Sequence, residues 1–141
     1  MAIGMLDINR IPHATAAIQV GMNRYLDRVG KQTVERIEQG FDGGHDALGR
    51  EWQSLSPHTI ERKGHDQVLF ETGELKESFD YDIERGELRI GSSDPNLERH
   101  EFGRGVPRRP VLQPAVTWAN QQLIVGEARD TFGASLDAVT F

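Results

Sequence analysis

Ala14, Ile18, Met22, Tyr25, Val29, Thr33 and Ile37 recur at spacings of three and four, and Leu26 and Val34 widen the stripe they trace. That period is one face of an α-helix, with Asn23, Asp27, Lys31, Glu35 and Glu38 on the other face. Pro12 suits the first turn, where its missing N–H has no partner to lose, and Asn9 upstream is a candidate cap. Residues 1–11 (MAIGMLDINRI) have no period and read as an arm or an edge strand. The helix is expected to stop near Gly40, because Gly40-Phe41-Asp42-Gly43-Gly44-His45-Asp46 is dense in residues that leave α geometry cheaply. A flexible loop over residues 40–48 is expected to follow. Gly21 and Gly30 each cost about 1 kcal/mol relative to alanine inside a helix. Each marks either the close approach of another backbone, within the chain or from a neighbouring subunit, or a tolerated glycine.

From Gly49 to Pro114 the pattern changes. Trp52, Leu55, Leu69, Leu75, Phe79, Phe102 and Val111 arrive singly between turn-formers and charges, which predicts loops anchored by lone apolar side chains. Ser56-Pro57 is an N-cap followed by proline at the first helical position and predicts a short helix to about Lys63, ended by Gly64. Thr72 is placed to cap a turn or two of helix that buries Leu75. Phe79 to Glu84 alternates strictly between apolar and polar, and Glu87 to Ile90 answers it across Arg85-Gly86, which predicts a β-hairpin with one polar face. Leu97 to Phe102 reads as a short helical turn ended by Gly103. A last helix is expected from Pro114, with Ala115, Trp118, Ala119, Gln122, Leu123, Gly126 and Arg129 tracing its period and Val116 and Ile124 widening it. The residues after Gly133 read as a docked C-terminal extension (134–141). No internal repeat or domain boundary is visible, so residues 1–141 are expected to form one domain.

Composition narrows the function. The 22 acidic and 16 basic residues leave a net charge of -6, which disfavours nonspecific nucleic-acid binding by the chain as a whole. The segment from Arg104 to Arg109 nevertheless concentrates three arginines. The absence of cysteine removes disulfides, thiolate zinc sites and thiol nucleophiles. No stretch approaches the length of a membrane span, and the N-terminus lacks a basic region followed by an apolar one, so a soluble protein that is not secreted is expected.

Six short motifs occur in one order. They are G-x-x-W-x-x-L-S-P-x-T from Gly49 to Thr59, K-G at Lys63-Gly64, L-x-x-T-G-x-L-x-x-S from Leu69 to Ser78, I-G-S from Ile90 to Ser92, H-E-F-G from His100 to Gly103, and P-x-R-P from Pro107 to Pro110. The series resembles the tail-completion or virion-morphogenesis family of tailed phages, proteins that resemble neck and tail-terminator subunits. The resemblance implies an α+β fold: a long N-terminal helix and a C-terminal helix packed on a small antiparallel β-sheet, with long ordered loops. It also implies a non-enzymatic virion protein, assembled in the host cytoplasm and located in the tail or neck. Such a protein forms a homo-oligomeric ring, commonly a hexamer, at the head–tail joint. Its partners would be the head connector or neck and the tail tube, with nonspecific contact to DNA in the lumen, no membrane and no cofactor.

The motif residues divide by role. Trp52 and Leu55 would pin a loop to the core with Leu75, and Pro57 would fix the entry to the short helix. Gly73 and Gly103 would supply positive φ or close packing, and Pro107 and Pro110 would stiffen the run into the last helix. His100, Glu101, Arg104, Arg108 and Arg109 are the surface candidates for an interface, since arginine forks suit carboxylates of a neighbouring subunit or phosphates of DNA.

Catalytic readings have less to stand on. His100-Glu101 is similar to the start of a zinc-protease H-E-x-x-H helix, but Arg104 occupies the second ligand position. The serines lack a nucleophile elbow. The alternative from another class is a metal-dependent hydrolase using His58, His65 and His100. Asp42, His45 and Asp46 on the glycine-rich loop are a further, weaker ligand set.

Overall fold

The structure is a computed structural model that describes residues 11–69 and 73–123, with side chains from residue 19 onward. The expected N-terminal arm, the Thr72 cap, the last helix beyond Leu123 and the C-terminal extension lie outside the described residues.

One helix carries everything else. α1 spans Ile11–Gly43, 33 residues and about 50 Å at the usual helical rise. Its inner stripe, Val29, Thr33 and Ile37, continues into Phe41, which is wholly buried. The helix therefore runs one turn past the expected stop at Gly40. Burying Phe41 outweighs the helical cost of glycine. Glycine also suits position 40 sterically, because a Cβ there would overlap the carbonyl of His45. Gly30 is likewise a close approach: an added Cβ would lie 2.7 Å from Cγ of Tyr81.

The expected flexible loop is hydrogen-bonded throughout its turn. His45 N donates to Gly40 O, and Trp52 N donates to Gly44 O, both at 3.0 Å. The buried carboxylate of Asp46 accepts the amides of Leu48 and Arg50 at 2.9 and 3.0 Å and the Arg50 Nε at 2.9 Å. An aspartate that closes its own turn in this way replaces the orderliness that the glycines lack.

Helix α2 (Pro57–Lys63) forms as its caps dictate: Ser56 Oγ accepts the amide of Thr59, and Gly64 ends it in the left-handed region. α3 (Glu74–Glu77) buries Leu75 and is tied to the end of α1 by Lys76 Nζ donating to Asp42 at 2.8 Å. β1 (Phe79–Glu84) and β2 (Glu87–Ser92) pair antiparallel, with Tyr81 opposite Ile90 and Ile83 opposite Leu88. Arg85 and Gly86 both take positive φ, as a two-residue hairpin turn of the right twist requires. α4 (Leu97–Phe102) and α5 (Leu112–Trp118) follow, and α5 passes into a π turn over Ala119–Leu123.

α1 packs against the hairpin, α3 and α5. The main core gathers Ile37 and Phe41 of α1 with Trp52, Leu75, Phe79, Leu97 and Val111. Phe41 is its hub, meeting Trp52 edge-to-face at 5.4 Å and Phe79 at 5.7 Å between ring centres. A second cluster joins Val29 to Ala119 and Leu123. The arrangement is the expected α+β class.

Candidate assembly surface

The spacing of the motifs becomes physical once their partners are located. Trp52 Nε1 donates to the carbonyl of Pro110 at 3.0 Å, joining the first motif to the last. Ser78 Oγ donates to Leu75 O at 2.6 Å and is 2.5 Å from Ser92 Oγ, so the Ser92 hydroxyl is the donor of that second bond. Two further motifs meet there.

The α4–α5 connection is held most tightly. Gly103 ends α4 at φ 71°, where its missing Cβ leaves room for Cβ of Arg108, 3.0 Å from the position it would take. Arg109 N donates to His100 O at 2.8 Å, which folds the loop back along α4. The Arg109 guanidinium, only 5% exposed, donates from Nε to Gln53 O at 2.8 Å and from Nη2 to Ser54 O at 3.4 Å. Glu101, 7% exposed, aims its carboxylate at the start of α5 and accepts the amides of Val111, Leu112 and Gln113 at 2.6, 3.0 and 2.9 Å. Three amides left unpaired at a helix N-terminus thus share one distant carboxylate. Helix α5 consequently begins at Leu112, two residues before the expected Pro114.

Glu101 and Arg109 therefore differ from the sequence expectation, which placed them on the surface: both are buried and committed to bonds within the chain. Their polar groups hold two segments whose own sequences supply no caps. Arg108 is exposed, with Nε on Glu101 O and Nη2 on Gln113 Oε1, each at 3.2 Å. Arg104 is also exposed, pairs with Glu98, and lies over the ring of Phe102. His100 is half-buried, and its Nδ1 is buried with no partner among the described residues. Burial lowers its pKa, the positive charges of Arg109, Arg99 and Lys63 lower it further, and Asp94 opposes them.

Phe102 corrects a second expectation. It is not a core anchor but stands 63% exposed. Leu97 and Glu101, four residues apart, share the buried side of α4, and the next residue turns about 100° away from it. Phe102 borders an open groove of about 850 Å³ between the end of β2, α4 and α5. Ile90, Leu97, Leu112 and Val116 give the groove its apolar lining, and Val116 is itself 46% exposed. Neither Phe102 nor Val116 was singled out as a contact residue from the sequence. Val116 falls beside the α5 stripe rather than on it, which is the signal that marks it.

The proposed metal ligands find other partners. His45 Nδ1 donates to the carbonyl of Asp46, His65 Nδ1 accepts the amide of Gln67, and Asp42 pairs with Lys76. Among the described residues no group of three or more His, Cys, Asp or Glu is placed to hold a metal ion, so His58, His65 and His100 do not converge as the hydrolase reading requires.

The model of the phage virion morphogenesis family matches residues 9–134, most of the chain. The chain belongs to this family. No curated protein and no solved structure matches it. As a virion morphogenesis protein it has a structural role in building the phage particle and is associated with the virion. Among its described residues no helix is long and apolar enough to cross a membrane. The family match takes in every motif above, and in this virion morphogenesis protein the first, fifth and sixth of them bond to one another at the α4–α5 connection.

Proposed function

We propose that this protein is a tail-completion or neck subunit: identical copies form a ring, six by the family resemblance, that caps the tail tube and joins it to the head connector. The observation that carries the reading is Phe102. A large aromatic from the H-E-F-G motif stands exposed beside an apolar groove, on a segment that Glu101 and Arg109 hold rigid from beneath. Exposed aromatic side chains bordering a recess are the usual anchors of protein interfaces, and rigidity beneath them lowers the entropy cost of docking. Arg104 and Arg108 frame the same surface with fixed guanidinium forks suited to carboxylates of an adjoining protein or to phosphates of DNA in the lumen.

The test is complementation of a phage lacking this gene by a Phe102→Asp variant. Filled heads and free tails that fail to join, with normal folding of the purified variant, are the expected result. A normal yield of infectious particles would remove Phe102 from the assembly surface.

A further inference from the structure

Helix α4 has a second side. Arg99 and His100 face away from the apolar groove and line a separate recess of about 640 Å³, closed by the Gln53–Ser56 segment, α2 and α3. Arg62, Lys63, Arg99 and Arg109 line it against two carboxylates, Glu74 and Asp94. This is a local positive excess on a chain whose net charge is -6. Arg62 and Arg99 are exposed, and neither guanidinium has a hydrogen-bond or ion-pair partner among the described residues. Deeper in the recess, burial and then the charges of Arg109, Arg99 and Lys63 lower the pKa of His100.

The complementary surface is on the same chain. The outward face of the hairpin presents Asp80, Asp82, Glu84 and Glu87, with Arg89 its one cation. Arg89 is taken up by Glu84 and Glu87. Asp80 and Asp82 are exposed and in no ion pair among the described residues. Recess and hairpin face are both open in one molecule, so neither covers the other.

We propose that the basic recess beside α4 receives the acidic outer face of the β1–β2 hairpin of a second copy, with Asp80 and Asp82 on the forks of Arg62 and Arg99. Two different patches meet in this contact, so it is head-to-tail, and a head-to-tail contact generates a ring when its rotation closes. Guanidinium and carboxylate match in geometry as well as charge. Nucleic acid is the weaker occupant, because Glu74 and Asp94 within the recess and the acidic balance of the whole chain repel a run of phosphates. The inference rests on the ring reading above and specifies which surfaces build the ring.

The experiment is sedimentation velocity of the full chain over a range of concentrations. The variants are Arg62→Glu with Arg99→Glu, Asp80→Arg with Asp82→Arg, and all four changes together, each checked for unchanged folding by circular dichroism. Each two-site variant should weaken self-association roughly ten- to a hundredfold, the scale of reversing close charge pairs at an interface. The four-site variant should restore it. Wild-type assembly that persists in either two-site variant, or that the four-site variant fails to recover, overturns this contact and leaves the ring reading standing. A wild type that never associates overturns the ring reading and this contact with it. Loss of binding to a short DNA duplex by the Arg62→Glu, Arg99→Glu variant, with assembly intact, reassigns the recess to phosphate and also overturns the proposal.

Discussion

The carboxylate of Glu101 lies 2.6 Å from the backbone nitrogen of Val111, and through it α4 caps a helix that begins eleven residues later in the chain. The same carboxylate takes the next two amides. Replacing Glu101 with alanine leaves all three donors at a partly buried helix start without an acceptor. The expected loss is about 3 kcal/mol of stability, read as a lower urea midpoint. Glu101→Gln keeps one acceptor oxygen and should lose less.

Arg108 and Arg109 are neighbours of one residue type with opposite fates. Arg109 is buried and donates to Gln53 and Ser54, whereas Arg108 is exposed on the outer side of the same loop. Arg109→Glu places an unpaired charge against two carbonyls and should cost about 3–5 kcal/mol. Arg108→Glu should change the thermal midpoint by no more than the ordinary surface effect of about 0.5 kcal/mol, to be measured alongside it. Equal behaviour of the two would contradict the buried placement of Arg109.

Gly30 sits under the ring of Tyr81, whose hydroxyl is held by Asp27 at 2.7 Å. Alanine at position 30 gains about 1 kcal/mol of helix propensity but must displace that ring, at a cost of about 1–3 kcal/mol. Gly30→Ala is expected to be destabilising in chemical denaturation, and Gly30→Ala combined with Tyr81→Ala to regain the propensity term.

The hairpin, both caps of α2 and the ends at Gly64 and Gly103 were legible in the sequence because each depends on residues within four positions of it. The end of α1 was not, since Gly40 and Gly43 look like helix breakers until Phe41 is seen to fill the core and the His45 carbonyl to crowd Gly40. The start of α5 was not legible either, because its cap comes from Glu101 rather than from position 111. Among the interface candidates, charge alone marked His100, Glu101, Arg104, Arg108 and Arg109 alike. Burial then separated two structural pins from the exposed pair, Arg104 and Arg108, and from half-buried His100. Phe102 was misread for a related reason: a lone apolar residue in a motif looks like an anchor unless the helical phase set by Leu97 and Glu101 turns it outward.

His100 gives the fold a pH dependence of known sign. Arg109, Arg99 and Lys63 face it with Asp94, and burial with these cations sets its folded pKa below the unfolded value. The unfolded chain therefore binds the proton more readily, so the contribution is fully present above the unfolded value of about 6.5 and is lost as pH falls through the folded one. The unfolding free energy should decline from pH 7 toward pH 5 more steeply in the wild type than in His100→Gln. Parallel slopes would show that the imidazole titrates alike in both states.

Reconstruction of intact virions by electron cryomicroscopy shows where this fold sits in the particle. A ring of this fold at the head–tail joint is expected, with Phe102 and the groove lined by Ile90, Leu112 and Val116 covered by an adjoining particle protein. Absence of the fold from mature particles, or a ring in which Phe102 and that groove face solvent, would contradict this expectation.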